Sequence, residues 1–472
     1  MAPNDSENAR HDSQATSRSR GKWIIVMASF LVVLIAALLP KARVNSPGQA
    51  GPIAASEADN AASSGRTGNT STRPHRFPVP PGISANQIVA DKFVRFAAKR
   101  REIVHALASR AQVPVPATVE NYFDALQTGR WDAAQELFKN LTDLRSSPAG
   151  SNVLGYWRAI AEAQGAAQQV HSWPAQKLLD YGHAVLGSLR PGMAYFGGTD
   201  SGCFIPLMLN ETGEGEPHIM LTQNFLSDRH YLDYLSFLYG NQLTTLTPED
   251  SQRASEHYMA DAQKRLVHDQ SFPNEPKQVL PGENISFDDG RVQVSGPVAE
   301  CLINERLLEK LIALNPGLSF ALEESFPFKS TYAEATPLGP VMELGVASQN
   351  ALSTDTAAQS VAYWQNNTDQ LLADPEALGS TATLSAYAKM MVAQANLLMS
   401  RNFPSEAEQT FHLADQLAPG NPQVVFNYVQ LLIQQNRLAE ALPVVAGALQ
   451  AAPDNQQFQV LNRQLQLKAS RK

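Results

Sequence analysis

Residues 404–455 have the sequence PSEAEQTFHLADQLAPGNPQVVFNYVQLLIQQNRLAEALPVVAGALQAAPDN, in which one pattern occurs twice. Residues 419–421, Pro-Gly-Asn, return 34 residues later as residues 453–455, Pro-Asp-Asn, and Ala407 returns at the same distance as Ala441. Between these points the apolar residues recur at helical spacings, which predicts pairs of amphipathic helices. A repeat of this length indicates stacked units, because a single pair of helices cannot bury its apolar face alone.

Paired helices in a 34-residue repeat that closes with proline resemble the tetratricopeptide repeat. The resemblance implies a helical solenoid whose concave side binds a peptide or another protein. We therefore predict tetratricopeptide-like helical repeats with a capping helix over residues 351–472. Polar side chains on the first helix of a hairpin can hydrogen-bond an extended peptide, so the candidate partner-binding residues are Asn396, Asn427 and Gln430.

The composition excludes some classes of function. The 472-residue chain is 43% hydrophobic and 17% charged, an ordinary globular balance that allows two or three domains. Its formal net charge of -8 gives no general attraction to phosphate backbones, so no nucleic-acid partner is expected. The motifs HExxH, CxxC and GxSxG are absent. We therefore predict no catalytic residues, no metal and no cofactor, and we favour a role other than catalysis.

Residues 23–39 form an uncharged run, WIIVMASFLVVLIAALL, between two lysines. A helix that spans a bilayer needs about 17–25 such residues, so we predict a transmembrane helix over residues 22–40, with a cleaved signal peptide as the alternative. More basic residues precede the run than follow it, which predicts a single-pass membrane protein with a cytoplasmic N-terminus. The bulk of the chain would be extracytoplasmic, on the periplasm side of the inner membrane. Polar residues 1–21 would form a disordered stub and residues 41–83 a flexible linker.

The middle of the chain changes its periodicity. Residues 84–169 have helical spacing and include one hairpin whose small and large residues are spaced as in the C-terminal repeats. Residues 170–350 alternate helical patterns with short apolar runs at residues 193–196, 218–222 and 318–322, and with a hairpin at an Asp-Gly turn. The predicted fold class is α/β plus all-α. It comprises the transmembrane helix, a three-layer α/β domain with a mostly parallel sheet, and the C-terminal helical solenoid.

The best candidate for a ligand site is the turn that follows the first of these apolar runs. At Gly198-Thr199-Asp200 a predicted strand ends and a helix begins, which brings backbone amides to the carboxyl edge of the sheet, where open α/β folds bind ligands. Gln223 and Asn224 follow the next strand and reach the same edge if the two strands are neighbours. The alternative is a tight turn whose side chains cap the helix and tie down loops.

Two further pairs of residues bear on the chemistry. Glu323 and Glu324 follow the third predicted strand, but adjacent strand residues point to opposite faces, so only one of them could serve the site. Cys203 and Cys301 lie far apart and lack metal-ligand spacing. One disulfide is an alternative, but we favour buried thiols because Cys301 lies in an apolar helical pattern.

Three segments, GMAYFGGTDSGCFIPLML, HIMLTQNFLSDRHYLDYL and FALEESFPFKSTYAEATPLGPVMEL, follow one another in this middle part. They resemble the soluble extracytoplasmic segment of a bacterial family of multi-span proteins related to protein O-mannosyltransferases. The resemblance covers about residues 170–345. It implies a shared fold but no glycosyl transfer, since one apolar span cannot supply the membrane half of such proteins. The positions that match the family's motifs are Gly198, Asp200, Asn224, Tyr231, Glu323, Glu324 and Gly339.

Two functions are compatible with these patterns. The leading prediction is a membrane-anchored protein–protein interaction or assembly factor that acts through the tetratricopeptide-like repeats. The alternative is an extracytoplasmic α/β domain that binds a glycan or another small molecule, or is an enzyme related to a glycosyltransferase accessory domain.

Overall fold

The computed structural model describes residues 76–147, 150–280, 282–288, 291–345 and 352–470. The predicted transmembrane helix of residues 22–40 lies outside them, as do the predicted stub and the linker up to residue 75. No helix in this described part of the chain is long and apolar enough to cross a membrane. This finding contradicts the predicted single-pass membrane protein.

Helices make up most of the described chain. In the first half they are α1 (Ala85–Arg110), α2 (Ala117–Gln127), α3 (Trp131–Ser146), α4 (Ser151–Leu154), α5 (Trp157–Ser172), α6 (Ala175–Ser188), α7 (Asp200–Glu211) and α8 (Arg229–Tyr239). In the second half they are α9 (Pro248–Ser271), α10 (Pro297–Leu314), α11 (Thr354–Ala373), α12 (Pro375–Leu378), α13 (Thr381–Ser400), α14 (Pro404–Leu417), α15 (Pro422–Gln434), α16 (Leu438–Ala451) and α17 (Gln456–Ala469). Short 3-10 helices are formed by Gln223–Phe225 and Lys329–Glu334.

The strands are short and form two sheets. They are β1 (Ala194–Gly197), β2 (Ile219–Thr222), β3 (Asn284–Asp288), β4 (Arg291–Ser295), β5 (Phe320–Leu322), β6 (Thr336–Leu338) and β7 (Val341–Leu344). A mixed sheet has the order β2-β1-β5-β7-β6, in which β1 is parallel to β2 and β5 while β7 is antiparallel to β5 and β6. In its register Tyr195 lies between Met220 and Ala321. Strands β3 and β4 form a separate antiparallel hairpin.

The prediction of a three-layer α/β domain with a mostly parallel sheet is wrong. The mixed sheet is small, and two antiparallel strands extend it beyond β5. Gly339, with a φ of 57°, lies at the tight turn between β6 and β7. Pro337 has no amide hydrogen to donate, which suits β6 to its place at the edge of the sheet. The fold is therefore mostly helical, with a small mixed sheet at its centre and a hairpin beside it.

The C-terminal hairpins are shaped by asparagines that repeat in the sequence. Asn402 and Asn436 have positive φ angles of 66° and 61° at the turns inside the hairpins α13–α14 and α15–α16. Asparagine tolerates this left-handed conformation better than most residues. Asn421 and Asn455 cap α15 and α17, because each side chain accepts a hydrogen bond from the backbone nitrogen two residues later, at 2.9 and 3.0 Å. The 34-residue repeat thus sets both the turns and the helix starts.

Helix α13 packs on the mixed sheet through the buried side chain of Gln394. Its Nε2 donates hydrogen bonds to the carbonyl oxygens of Gly339 (2.7 Å) and Val341 (2.9 Å). Its Oε1 accepts from the Ser360 hydroxyl (2.7 Å) and the Trp364 indole (2.9 Å). Every polar atom of this buried amide is therefore paired. Through these hydrogen bonds the Gln394 side chain connects the sheet, α11 and α13.

Candidate functional site

Polar side chains occupy equivalent positions on α13 and α15, the first helices of the two C-terminal hairpins, and on α17, which follows them. Asn396 on α13, Gln430 on α15 and Gln464 on α17 follow one another at 34-residue intervals, and all three are half-buried. Gln423 and Gln457 repeat at the same interval and are also half-buried. Asn396 and Gln430 were identified from the sequence, whereas Gln423, Gln457 and Gln464 were not, although their 34-residue spacing is the signal that could have found them.

Asn427 lies on the same face of α15 as Gln423 and Gln430, since residues three and four apart are neighbours on a helix. Its Nδ2 donates a hydrogen bond to the backbone oxygen of Gln423 at 2.7 Å, which holds the amide against its own helix. A side-chain amide offers both donor and acceptor atoms. We call this set of amides, Asn396, Gln423, Asn427, Gln430, Gln457 and Gln464, the amide face.

The other candidate is the carboxyl edge of β1, β2 and β5. There the buried carboxylate of Glu323 accepts hydrogen bonds from the backbone nitrogens of Gly198 (2.7 Å) and Thr199 (2.8 Å) and from the Thr199 hydroxyl (2.8 Å). The same hydroxyl accepts from the backbone nitrogen of Gly202 at 3.0 Å and caps α7. The backbone amides of the turn therefore bind a carboxylate of the protein itself.

Glycines permit this close approach. A Cβ atom at Gly202 would lie 2.1 Å from Oε2 of Glu323, and one at Gly198 would lie 2.4 Å from the backbone oxygen of Glu323. Neither position has room for a side chain, so the glycine-rich turn is explained by the packing of β5 against the start of α7.

Gln223 and Asn224 reach the same edge, as predicted for neighbouring strands. Oε1 of Gln223 accepts from the backbone nitrogen of Ser325 at 2.9 Å, and its Nε2 donates to the backbone oxygen of Phe326 at 3.0 Å. Nδ2 of Asn224 donates to the Ser325 hydroxyl at 3.3 Å. These two amides tie down the loop after β5, whereas Asp200 is exposed in the first turn of α7.

The side chains of Glu323 and Glu324, which follow β5, lie on opposite faces, as expected from the sequence. Glu324 accepts hydrogen bonds from the Tyr332 hydroxyl (2.7 Å) and the Phe328 backbone nitrogen (3.0 Å), away from the turn that Glu323 binds. Burial raises the pKa of Glu324 to about 8, although these hydrogen bonds favour its charged form. Burial also raises the pKa of Glu323, against the opposing effect of the Thr199 and Gly198 amides.

Arg158 on α5 also contacts this edge, and the sequence analysis missed it. Its Nη2 donates to the Thr222 hydroxyl at 2.5 Å, and its Nε pairs with Glu162 at 2.9 Å. Its guanidinium lies 4.7 Å from the ring centre of Phe225 and 5.0 Å from that of Tyr231. No local sequence motif marks Arg158, because its partners other than Glu162 come from three separate elements. The guanidinium of Arg158 is therefore a charged group that lies against two aromatic rings and stabilises the structure.

Neither cysteine supplies reactive chemistry at this edge. Cys203 and Cys301 are free and buried, as favoured from the sequence. Burial raises the pKa of both thiols, so neither is poised as a thiolate nucleophile. Within the described residues, no group of three or more His, Cys, Asp or Glu side chains is arranged to hold a metal ion.

Residues 398–465 match the family model of the tetratricopeptide repeat. The match runs from the end of α13 through α14, α15 and α16 into α17. It confirms tetratricopeptide repeats over residues 398–465 of the predicted range 351–472, and such repeats commonly bind protein partners. Comparisons with curated proteins and with solved structures gave no significant match. The resemblance of residues 170–345 to proteins related to O-mannosyltransferases gains no support from these comparisons.

The tetratricopeptide repeats and the sheet edge differ in what they offer a partner. Amides recur along the repeats at positions that are half-buried and thus still partly accessible. At the sheet edge, Glu323, Gln223 and Asn224 are hydrogen-bonded to the protein itself. The ligand site predicted at residues 198–200 and 223–224 stays a prediction, and the repeats are the better candidate for a functional surface.

Proposed function

We propose that this chain is a protein–protein interaction or assembly factor whose tetratricopeptide repeats hold an extended segment of a partner protein along the amide face. The observation that carries the proposal is the recurrence of Asn396, Gln430 and Gln464 at 34-residue intervals on α13, α15 and α17. In stacked hairpins the first helices lie side by side, so equivalent residues form a row across the solenoid.

A row of amides matches the chemistry of an extended backbone. Each residue of an extended peptide carries one N–H donor and one C=O acceptor that lack partners within the peptide. Asparagine and glutamine side chains pair with both kinds of group. A helical partner would have satisfied its own backbone and would favour an apolar groove instead, which the amide face is not.

The packing of the repeats supports a preformed surface. Phe426 of α15 lies 6.0 Å from Phe458 of α17, ring centre to ring centre, with the ring planes tilted by 33°, so buried aromatic side chains pack these two helices together. At the other end, Arg401 donates from Nη1 to the carbonyl oxygens of Tyr332 (3.1 Å) and Ala333 (2.7 Å) beside the sheet. Because these contacts hold both ends of the repeats in place, the repeats lose less conformational entropy when a partner binds.

The test replaces three residues of the amide face with alanine in the full chain: Asn396→Ala, Asn427→Ala and Gln430→Ala. Affinity purification followed by mass spectrometry should show loss of the proteins that co-purify with the unaltered chain. A matched control replaces three exposed amides on the second helices, Gln409→Ala, Gln416→Ala and Gln450→Ala, and should retain them.

Both variants should keep the melting temperature of the unaltered chain within a few degrees, which separates lost binding from lost folding. An unchanged set of partners in the amide-face variant contradicts the proposal. Loss of the same partners in both variants would show that the repeats contribute only general surface, and would contradict it equally.

A further inference from the structure

The helices that carry the amide face, α13, α15 and α17, contain no aspartate or glutamate. Their charged side chains are all cationic: Lys389, Arg463 and Lys468. The second helices have the opposite charge, since α14 and α16 contain no lysine or arginine. Their acidic residues are Glu406, Glu408, Asp415 and Glu440. In a chain with a net charge of -8, the amide face is therefore on the positive side of the repeats.

Two of these cations lie on the amide face itself. Lys389 occupies on α13 the position that Gln423 and Gln457 occupy on α15 and α17, at 34-residue intervals. Lys468 lies four residues after Gln464, so the two are neighbours on one side of α17. Both lysines are half-buried. They add positive charge to the amide face on its first and its last helix.

Lys389 is a half-buried cation that forms no salt bridge within the described residues. Burial raises the pKa of Glu323, and the positive charge of Lys389 is among the effects that oppose this. The oxygens of Glu323 accept hydrogen bonds from Gly198 and Thr199 instead. An ammonium group has three donors, and those of Lys389 remain open to a carboxylate from outside the chain. A charge-assisted hydrogen bond of this kind is about twice as strong as a neutral one.

We infer that the extended segment held along the amide face is acidic, with aspartate or glutamate side chains that pair with Lys389 and Lys468. The inference rests on the proposed function, since it specifies the chemistry of the partner at the same surface. Side-chain amides bond the peptide backbone whatever its charge. The two lysines attract carboxylates, and α13, α15 and α17 offer no acidic side chain that would repel them. A basic segment would place like charges together on a partly desolvated surface.

The experiment measures the binding of fluorescent peptides to the full chain by anisotropy. The probes are three peptides of equal length in which glycine alternates with glutamate, glutamine or lysine, because frequent glycine keeps each of them from forming a helix. The glutamate peptide should bind about tenfold more tightly than the glutamine peptide at low salt, and the lysine peptide should bind least. Added sodium chloride should reduce the difference, because salt screens the attraction.

The double variant Lys389→Gln/Lys468→Gln removes both cations from the amide face and should abolish the preference for the glutamate peptide. The matched control is Lys139→Gln/Lys264→Gln, which changes the net charge equally at two exposed lysines on α3 and α9 and should keep the preference. Circular dichroism should show melting temperatures within a few degrees of the unaltered chain for both variants, which separates lost binding from lost folding.

Equal binding of the glutamate and glutamine peptides would overturn the inference. A preference that survives Lys389→Gln/Lys468→Gln, or that is lost in the control, would overturn it as well. The inference and the proposed function can fail separately. If the two peptides bind equally and both are lost with the alanine substitutions of the amide face, the surface binds peptides without regard to charge and the proposed function stands. If no peptide binds, the inference is wrong, and the co-purifying proteins still decide the proposed function.

Discussion

The carboxylate of Glu323 accepts hydrogen bonds from both the backbone nitrogen and the hydroxyl of Thr199, each at 2.8 Å. The two residues are 124 positions apart in the chain. Their contact therefore connects distant parts of the central region at the sheet edge. A buried carboxylate with several donors is a strong intramolecular ligand, because hydrogen bonds to a charged acceptor are worth about 1.5–3 kcal/mol each.

Glu323→Gln should therefore lower the free energy of unfolding by about 1.5–3 kcal/mol, since an amide keeps one acceptor oxygen and turns an N–H group towards the donors of the turn. Urea denaturation of the full chain measures the change. Asp200→Asn is the control, because Asp200 is exposed in the same turn and should change stability by less than about 0.5 kcal/mol. Equal effects of the two substitutions would contradict the structural role of Glu323.

Gly202→Ala should be destabilising for a steric reason. The added Cβ atom would lie 2.1 Å from Oε2 of Glu323, and the carboxylate cannot move without losing its hydrogen bonds. Such overpacking costs about 1–3 kcal/mol. The matched control is Gly187→Ala near the end of α6, where no atom lies within 4 Å of the added Cβ and stability should be kept or slightly raised. Thermal unfolding of both variants gives the comparison; a neutral Gly202→Ala would count against the close approach.

The three fully buried strands were predictable from the sequence, and the two strands that widen the sheet were not. β1, β2 and β5 fall on the apolar runs found in the sequence, because buried strands are rich in large apolar residues. β6 and β7 flank Gly339 and contain or adjoin Pro337 and Pro340, which are typical of loops. A mostly parallel sheet was inferred because these two strands were missed.

The candidate site could be located but not interpreted from the sequence. The turn at Gly198 and the amides of Gln223 and Asn224 do meet at one edge, as the pattern of strand ends predicted. The partner that binds the turn, Glu323, is 125 residues from Gly198, and no local pattern shows which of two adjacent glutamates turns inward. In the repeats, equivalent positions on successive helices can be identified from the sequence alone, since they recur every 34 residues.

The ligand site predicted at the sheet edge has its own test. A ligand held by Asp200 should raise the melting temperature of the full chain, and Asp200→Ala should abolish that increase. The screen includes sugars, nucleotides and divalent cations, and the variant is compared with the unaltered chain at the same ligand concentration. A screen in which nothing raises the melting temperature, or an Asp200→Ala chain that responds equally, contradicts the site.

Gln394→Leu should weaken the attachment of the repeats to the sheet. The substitution leaves the carbonyl oxygens of Gly339 and Val341 and the indole nitrogen of Trp364 without their partner in a buried place. Each unpaired buried group costs about 1–3 kcal/mol, so a loss of at least about 3 kcal/mol is expected. Gln450→Leu, on the exposed side of α16, should be nearly neutral. Urea unfolding followed by circular dichroism measures both, and equal midpoints would refute the role of Gln394.

Glu324 should make the stability of the protein depend on pH. Its pKa is raised to about 8 in the folded chain, chiefly by burial, whereas an unfolded glutamate has a pKa of about 4.3. The folded state therefore prefers the protonated acid. The stabilisation that this acid contributes is fully present below about pH 4.3 and is lost as the pH rises to about 8, with a slope of up to about 1.4 kcal/mol per pH unit.

Glu324→Gln, which cannot ionise, should flatten the dependence of unfolding free energy on pH between about 5 and 8. Urea unfolding at several pH values compares it with the unaltered chain and with Glu309→Gln, a control on the exposed side of α10 that should keep the original slope. The charges of Glu305 and Glu323 also raise the pKa of Glu324, so the flattening includes the coupling between these carboxyls. If Glu324→Gln retains the full slope, the carboxyl of Glu324 is ionised in the folded protein at neutral pH and the burial argument fails.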